Sequence, residues 1–182
     1  MQLVIVGIGG QGILFASRVI GDLSIRKGLP IIGSEVHGMA QRGGSVISHV
    51  KVGPYSGPLV LKGEADLLLA FDQDEAIRNM DYLRRGGTSL VNVHDPSRLA
   101  NEHLSSFVAE RGLDLRTIWG YKLLKEELRL PFGYLNALML GKLASLGLEP
   151  FDEEGMRESL KRVSPPKHLE ANLKAFELGL RS

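Results

Sequence analysis

Three glycines, Gly7, Gly9 and Gly12, stand at the spacing G-x-G-x-x-G directly after the apolar run Leu3 to Val6. Such glycines permit a tight turn and the close approach of an anion, and the free N–H groups of the following helix can hold it. They also serve merely to let a strand and a helix pack closely. Glu35 lies near the spacing of the acid that binds a ribose in dinucleotide sites. Two features count against that ligand. A polar strand starting at Ser45 follows at once, leaving no room for a second crossover helix, and the Gly10-Gln11 pair puts a side-chain amide at the helix start, where it competes for the same N–H groups. Gly9, Gly10, Gln11 and Gly12 are the binding candidates of this turn.

A second cluster runs from Gly33 to Gly44, with four glycines among Ser34, Glu35, His37, Gln41 and Arg42. It is too glycine-rich for a helix and too long for a tight hairpin turn, so it reads as a shaped loop. The planar donor fork of Arg42 suits a carboxylate or phosphate, and Gly43-Gly44 let backbone N–H groups approach as well. A surface arginine without a ligand fits the same residues. His37 titrates near neutral pH and is able to exchange a proton, although a structural loop histidine is the plainer reading. His37 and Arg42 are the catalytic candidates, and Glu35, Arg42, Gly43 and Gly44 the binding candidates. Glu35 orients one of the two or is solvated. Met39, among glycines and polar groups, suits an adaptable contact with a partner.

These residues need elements to position them. Leu3 to Val6 is a strand, and Ile13, Leu14, Val19, Ile20 and Leu23 give helical spacing after the glycine turn. A weaker strand follows at Ile31-Ile32. Ser45 to Val52 alternates, with Val46, Val50 and Val52 on one face and His49 and Lys51 on a wetter one. Leu67 to Phe71 is a continuous apolar run, as expected of a strand buried on both faces. Asp72 and Glu75 form a capping pair for a helix through about Leu83, which Arg84, Arg85 and Gly86-Gly87 end. Thr88 to Val93 is the next strand, and a helix near Glu102 to Glu110 and a strand near Leu113 to Ile118 follow. Leu135 to Leu146, Glu153 to Val163 and His168 to Leu180 are helical, the last two separated by Pro165-Pro166. Ala137, Gly141 and Ala144 make a small-residue stripe for close helix approach, within the chain or at an interface. Asn136 and Asn172 should bond backbone turns where buried. The expected fold is α/β, a three-layer sandwich whose mainly parallel sheet is Rossmann-like except for the strand at Ser45, with a C-terminal helical extension. It forms one domain over 1–182, with a sheet part at 1–130 and a helical part at 131–182.

The 182 residues carry 22 Lys and Arg against 21 Asp and Glu. A net charge of +1 offers no overall field for a polyanion or membrane surface, so nucleic acid is not expected. With no cysteine, the chain has no disulfide frame, thiolate nucleophile or cysteine-held cluster, and any redox metal must sit on a partner. No basic, cleavable leader and no apolar run near the ~20 residues of a spanning helix are seen, so a cytoplasmic chain is expected.

Gly7-Ile8-Gly9-Gly10-Gln11-Gly12, followed by Ser34-Glu35-Val36-His37-Gly38-Met39-Ala40-Gln41-Arg42-Gly43-Gly44-Ser45, resembles the gamma-type domain of 2-oxoacid:ferredoxin oxidoreductases. The Glu35 to Gly44 segment has the form typical of the beta subunit in the indolepyruvate branch. Asn136 with Leu140-Gly141, and Asn172 to Gly179, extend the match along nearly the whole chain. The resemblance implies a non-redox subunit of a complex that oxidatively decarboxylates aryl 2-oxoacids to aryl-acetyl-coenzyme A, with ferredoxin as acceptor. It further implies that thiamine diphosphate and iron–sulfur clusters belong to a larger alpha subunit, through which ferredoxin is reached. Coenzyme A is then the co-substrate, and the glycine-lined residues face coenzyme A, phosphate or the thiamine site. Inactivity of the chain alone is expected, and a homodimer of the isolated chain stays open. The competing readings are the gamma subunit of a pyruvate or other 2-oxoacid enzyme, a stand-alone NAD(P)- or FAD-binding Rossmann protein, and a small interaction module on an α/β scaffold.

Overall fold

The computed structural model describes residues 1–37 and 43–182, the His37 side chain excepted. Six strands form one sheet: β1 (Gln2–Ile8), β2 (Ile31–His37), β3 (Ser45–Val52), β4 (Ala65–Ala70), β5 (Leu83–Asn92) and β6 (Asp114–Ile118), in the order β2-β3-β1-β4-β5-β6. β1 pairs with β4, β4 with β5 and β5 with β6 in parallel, whereas β3 runs antiparallel to both β1 and β2. The strand at Ser45 therefore departs from a dinucleotide-binding half, as its position in the sequence requires.

Leu3 to Val6 are fully buried, because β1 is covered on both faces. Leu3 and Ile5 share a core with Leu67, Leu69 and Leu90 and with the helices α1 (Ile13–Arg26), the short α4 (Gly120–Leu123), α5 (Leu135–Ser145), α6 (Glu153–Val163) and α7 (Leu169–Leu180). Val4 and Val6 face the opposite layer, made by α2 (Gln73–Asn79), α3 (Glu102–Arg111) and the segment around Val60. Period-two alternation along the strands thus divides the interior into two cores, and the result is a three-layer α/β sandwich. The C-terminal helices are part of the first core. Their closest approach is a glycine crossing, in which a Cβ on Gly141 would overlap the Phe176 carbonyl and one on Gly179 the Leu138 carbonyl. The small-residue stripe is thereby used inside the chain.

Three boundaries differ from expectation. β2 does not stop at Ile32 but continues to His37, with Glu35 opposite Ser48 and Val36 opposite Ile47, so the first part of the expected loop is strand. Cross-strand pairing with β3 overrides the low strand propensity of Gly33-Ser34-Glu35. The face of β3 expected to be wet is buried, because the 53–64 segment folds over it. The Val60 N–H lies 3.4 Å from His49 Nδ1, the His49 ring meets Tyr82 edge-on at 5.5 Å, and Lys51 Nζ sits 5.5 Å from the Tyr55 ring centre. Lastly, α2 ends at Asn79, and after one 3₁₀ turn Leu83 to Gly87 are already strand, with an irregular register against β4 and Gly86 at φ 70°. Arg84 and Arg85 thus lie in β5 rather than at a helix end; the bulge absorbs the glycines that had read as a stop.

Candidate functional site

The parallel strands end together on one edge, where α/β proteins place their ligands. β1 leads by α1 to one side of the sheet and β4 leads by α2 to the other, so the crevice between their ends is the switch point. Gln11 lies across it. Its Oε1 accepts the Ile8 N–H at 2.7 Å, and its Nε2 donates to the Tyr121 hydroxyl at 2.7 Å and to the Phe71 carbonyl at 3.3 Å. The amide therefore closes the strand-end turn instead of competing for helix N–H groups, which corrects the expectation for this residue. A Cβ on Gly7 would overlap Gln11 Oε1, so glycine at position 7 makes space for that side chain.

The network continues across the edge. Asn92, fully buried at the end of β5, donates to the same Phe71 carbonyl at 3.1 Å and accepts the Gly120 N–H at 2.9 Å. Gln73 accepts the N–H groups of His94 and Asp95, each at 3.0 Å. Ile8, Phe71, Asn92 and Gly120 are thus joined by two side-chain amides that tie together the ends of β1, β4, β5 and β6. Burial is the main cause that pushes the Tyr121 phenol above its ordinary pKa, so it keeps its proton. Since Tyr121 accepts from Gln11, that proton is free to be donated outward. The Tyr121 ring packs on Phe132 at 4.7 Å and His94 at 6.3 Å, and Phe132 and the nearby strand-end Trp119 are 53% and 42% exposed. An aromatic rim therefore lines this edge.

The two glycine motifs meet here. The Gly9 N–H donates to the Gly44 carbonyl at 2.9 Å, which fixes the end of the second motif over the first. Gly10 and Gly12 take φ of 108° and 81°, conformations open to glycine, and Gly12 also leaves room for Asn136, whose amide would overlap a Cβ there. The N-cap of α1 is Gly12, which has no side chain with which to cap it. Gly43 is exposed at φ 77°. Glu35 is exposed on β2, beside a pocket of about 400 Å³ that Arg18 and Ser48 also line. Met39, Gln41 and Arg42 lie outside the described residues, as does the His37 side chain.

Other assignments resolve locally. Asp72 accepts the N–H groups of Asp74 and Glu75, but the buried Glu75 carboxylate turns to the Ser45 hydroxyl at 2.6 Å and to Arg78 instead of returning to the cap. Asn136 bonds the Gly133 carbonyl as expected, whereas Asn172 bonds the Ser164 hydroxyl rather than a backbone turn. Among the described residues no group of three or more His, Asp or Glu side chains is placed to hold a metal ion, and no helix is long and apolar enough to cross a membrane. Sequence reasoning missed Asn92, Tyr121 and Gln73. A polar residue ending the apolar run Leu90-Val91 was the available signal for Asn92.

Comparison with known proteins adds the relationship. The family described as pyruvate ferredoxin/flavodoxin oxidoreductase matches residues 2–182. The indolepyruvate oxidoreductase subunit IorB of Thermococcus kodakarensis is 34% identical, over 100% of this chain and 95% of its own length. Two solved structures share the fold. One is the gamma subunit of a keto/oxoacid ferredoxin oxidoreductase from Geobacter sulfurreducens, with TM-score 0.75 and 21% identity over 99% of this chain and 96% of that one. The other is a 2-oxoglutarate:ferredoxin oxidoreductase from Magnetococcus marinus with coenzyme A and succinyl-CoA bound, with TM-score 0.76 and 21% identity over all of this chain and 30% of that one.

Proposed function

Because the chain belongs to the pyruvate ferredoxin/flavodoxin oxidoreductase family, we propose that it is the non-redox subunit of an indolepyruvate (aryl 2-oxoacid):ferredoxin oxidoreductase. The complex decarboxylates the 2-oxoacid oxidatively, yields the aryl-acetyl-coenzyme A and reduces ferredoxin. One observation carries this reading: a 34% identity, over 100% of this chain and 95% of the other, to an indolepyruvate oxidoreductase subunit. The absence of cysteine agrees with iron–sulfur clusters on a larger alpha subunit. Thiamine diphosphate, bound by that subunit, supplies the electron sink for decarboxylation.

This chain's own residues bind and position. In the turn Gly9 to Gly12 the Gly9 and Gln11 N–H groups are taken by the Gly44 and Ile8 carbonyls, and the first N–H groups of α1, at its positive end, offer the environment an anionic phosphate of coenzyme A requires. Gly43-Gly44 extend that surface, Arg42 is assigned the donor fork for a phosphate or the 2-oxoacid carboxylate, and His37 and Glu35 are the remaining candidates of the second motif. Tyr121 offers a hydroxyl donor, while Trp119, Phe132 and His94 form a rim suited to burial against the larger subunit in the cytoplasm. The coenzyme A bound to the Magnetococcus marinus relative supports that choice of co-substrate.

A stand-alone dinucleotide enzyme is disfavoured by β3, which lies antiparallel between β1 and β2 where a dinucleotide-binding half has parallel strands joined by crossover helices. The test is anaerobic co-expression with the large thiamine and iron–sulfur protein, followed by assay of ferredoxin reduction with indolepyruvate, pyruvate and 2-oxoglutarate in turn. Co-purification and indolepyruvate-dependent reduction support the reading. Activity with pyruvate or 2-oxoglutarate alone selects the other family members, and failure to associate overturns it.

A further inference from the structure

β6 is the last strand of the sheet, paired with β5 along its whole length and with nothing on its other side among the described residues. The Ile118 carbonyl accepts the Val93 N–H at 2.8 Å, which fixes the direction of the strand's polar groups. Both groups of one residue point to the same side of a strand, and the side alternates along it. Asp114, Arg116 and Ile118 therefore bond inward to β5, whereas the N–H and C=O groups of Leu115 and Thr117 point out of the sheet. Among the described residues no other backbone group meets them. Neither a proline nor a bulge blunts this edge, and such an open row of donors and acceptors is a template for another strand.

The side chains of β6 say which strand fits. Asp114 and Arg116 are exposed on one face, two residues apart, and within the single chain Arg116 Nε donates to Asp114 Oδ1 at 2.8 Å. Leu115 lies between them on the opposite face, half-buried. A second β6 running antiparallel must set outward-pointing residues against each other, which leaves only registers centred on one residue of the strand. Centred on Leu115, Asp114 of each copy faces Arg116 of the other, twice over. That pair falls where strands exchange no hydrogen bonds and facing side chains come closest. Centring on Asp114 or Arg116 instead opposes two like charges, and centring on Thr117 sets Arg116 against the buried Ile118. Charge and hydrogen-bond direction thus select one register.

We propose that β6 pairs antiparallel with the β6 of a second copy of this chain, about a two-fold axis through Leu115, joining two six-stranded sheets into one. The pairing is independent of which 2-oxoacid the complex oxidises. Sedimentation equilibrium of the full chain, from about 10 μM to about 0.5 mM, tests it, and a dimer with a dissociation constant below about 100 μM is expected. Arg116→Asp and Asp114→Arg each turn the facing pairs into like charges, so each should weaken self-association about tenfold or more. Both should melt within about 2 °C of the parent, since folding loses only an exposed ion pair. An equal mixture of the two variants should recover the dimer, because each strand then faces its complement, and so should the double variant Asp114→Arg with Arg116→Asp. A monomeric parent, undiminished association of the single variants, or a mixture that stays monomeric would each overturn the pairing. A monomeric parent whose single variants no longer bind the larger subunit would give the edge to that subunit and overturn it as well.

Discussion

Replacing Gln11 is the most informative perturbation, because one side chain ties three elements. In Gln11→Met the volume is kept and every hydrogen bond of the amide is lost. The partly buried Ile8 N–H then loses its acceptor, the Tyr121 hydroxyl its donor and the Phe71 carbonyl one of two donors. An orphaned buried donor costs about 1–3 kcal/mol and an ordinary lost hydrogen bond about 1 kcal/mol, so the variant should lose about 3 kcal/mol. At about 2–4 °C per kcal/mol for a chain of this length, melting falls by roughly 6–12 °C. Urea unfolding followed by tryptophan fluorescence measures the first quantity and a thermal melt followed by circular dichroism the second. Gln11→Ala should lose somewhat more, since it adds a void to the same bond losses. If Gln11→Met unfolds within about 0.5 kcal/mol of the parent, the amide is not the tie described here.

Gly179→Ala, which drives a methyl group into the Leu138 carbonyl, should cost more than about 3 kcal/mol in the same unfolding assay, because no side-chain rotation relieves a clash with backbone. His49 gives a pH signature: burial, and then the Lys51 charge, lower its pKa below the ordinary 6.5. Its contribution is therefore fully present above pH 6.5 and is lost as pH falls below that value, where the unfolded chain takes up the proton first. Urea midpoints at pH 7.5 and 5.5 should drop more for the parent than for His49→Gln. Arg42→Ala should leave this chain's melting unchanged and slow turnover of the assembled complex about tenfold or more, the worth of one charge-assisted hydrogen bond; full activity would remove Arg42 from the site.

Much of the architecture was legible because periodicity and punctuation agree. Leu3 to Val6 and Leu67 to Ala70 are continuous apolar runs and prove to be strands buried on both faces, and Pro165-Pro166 separates α6 from α7 as read. What failed depends on distant chain. Nothing local to His49 and Lys51 signals that residues 53–64 will cover them, and Gly33 to Glu35 become strand only because β3 pairs with them. At the site, both glycine motifs stood out by residue type and spacing, though not their meeting through Gly9 and Gly44, and Gln11 was singled out. Its partners were not, since Phe71 and Tyr121 lie 60 and 110 residues away.

The central claim is that this chain completes a reaction centre carried by another subunit. Its most direct test is the rate of indolepyruvate- and coenzyme A-dependent ferredoxin reduction by the purified large subunit, measured under anaerobic conditions before and after adding this chain. The account predicts negligible reduction by either protein alone and a rate that saturates at a fixed ratio of the two. A large subunit that turns over at full rate unaided, or a lone chain that reduces a nicotinamide, would contradict it.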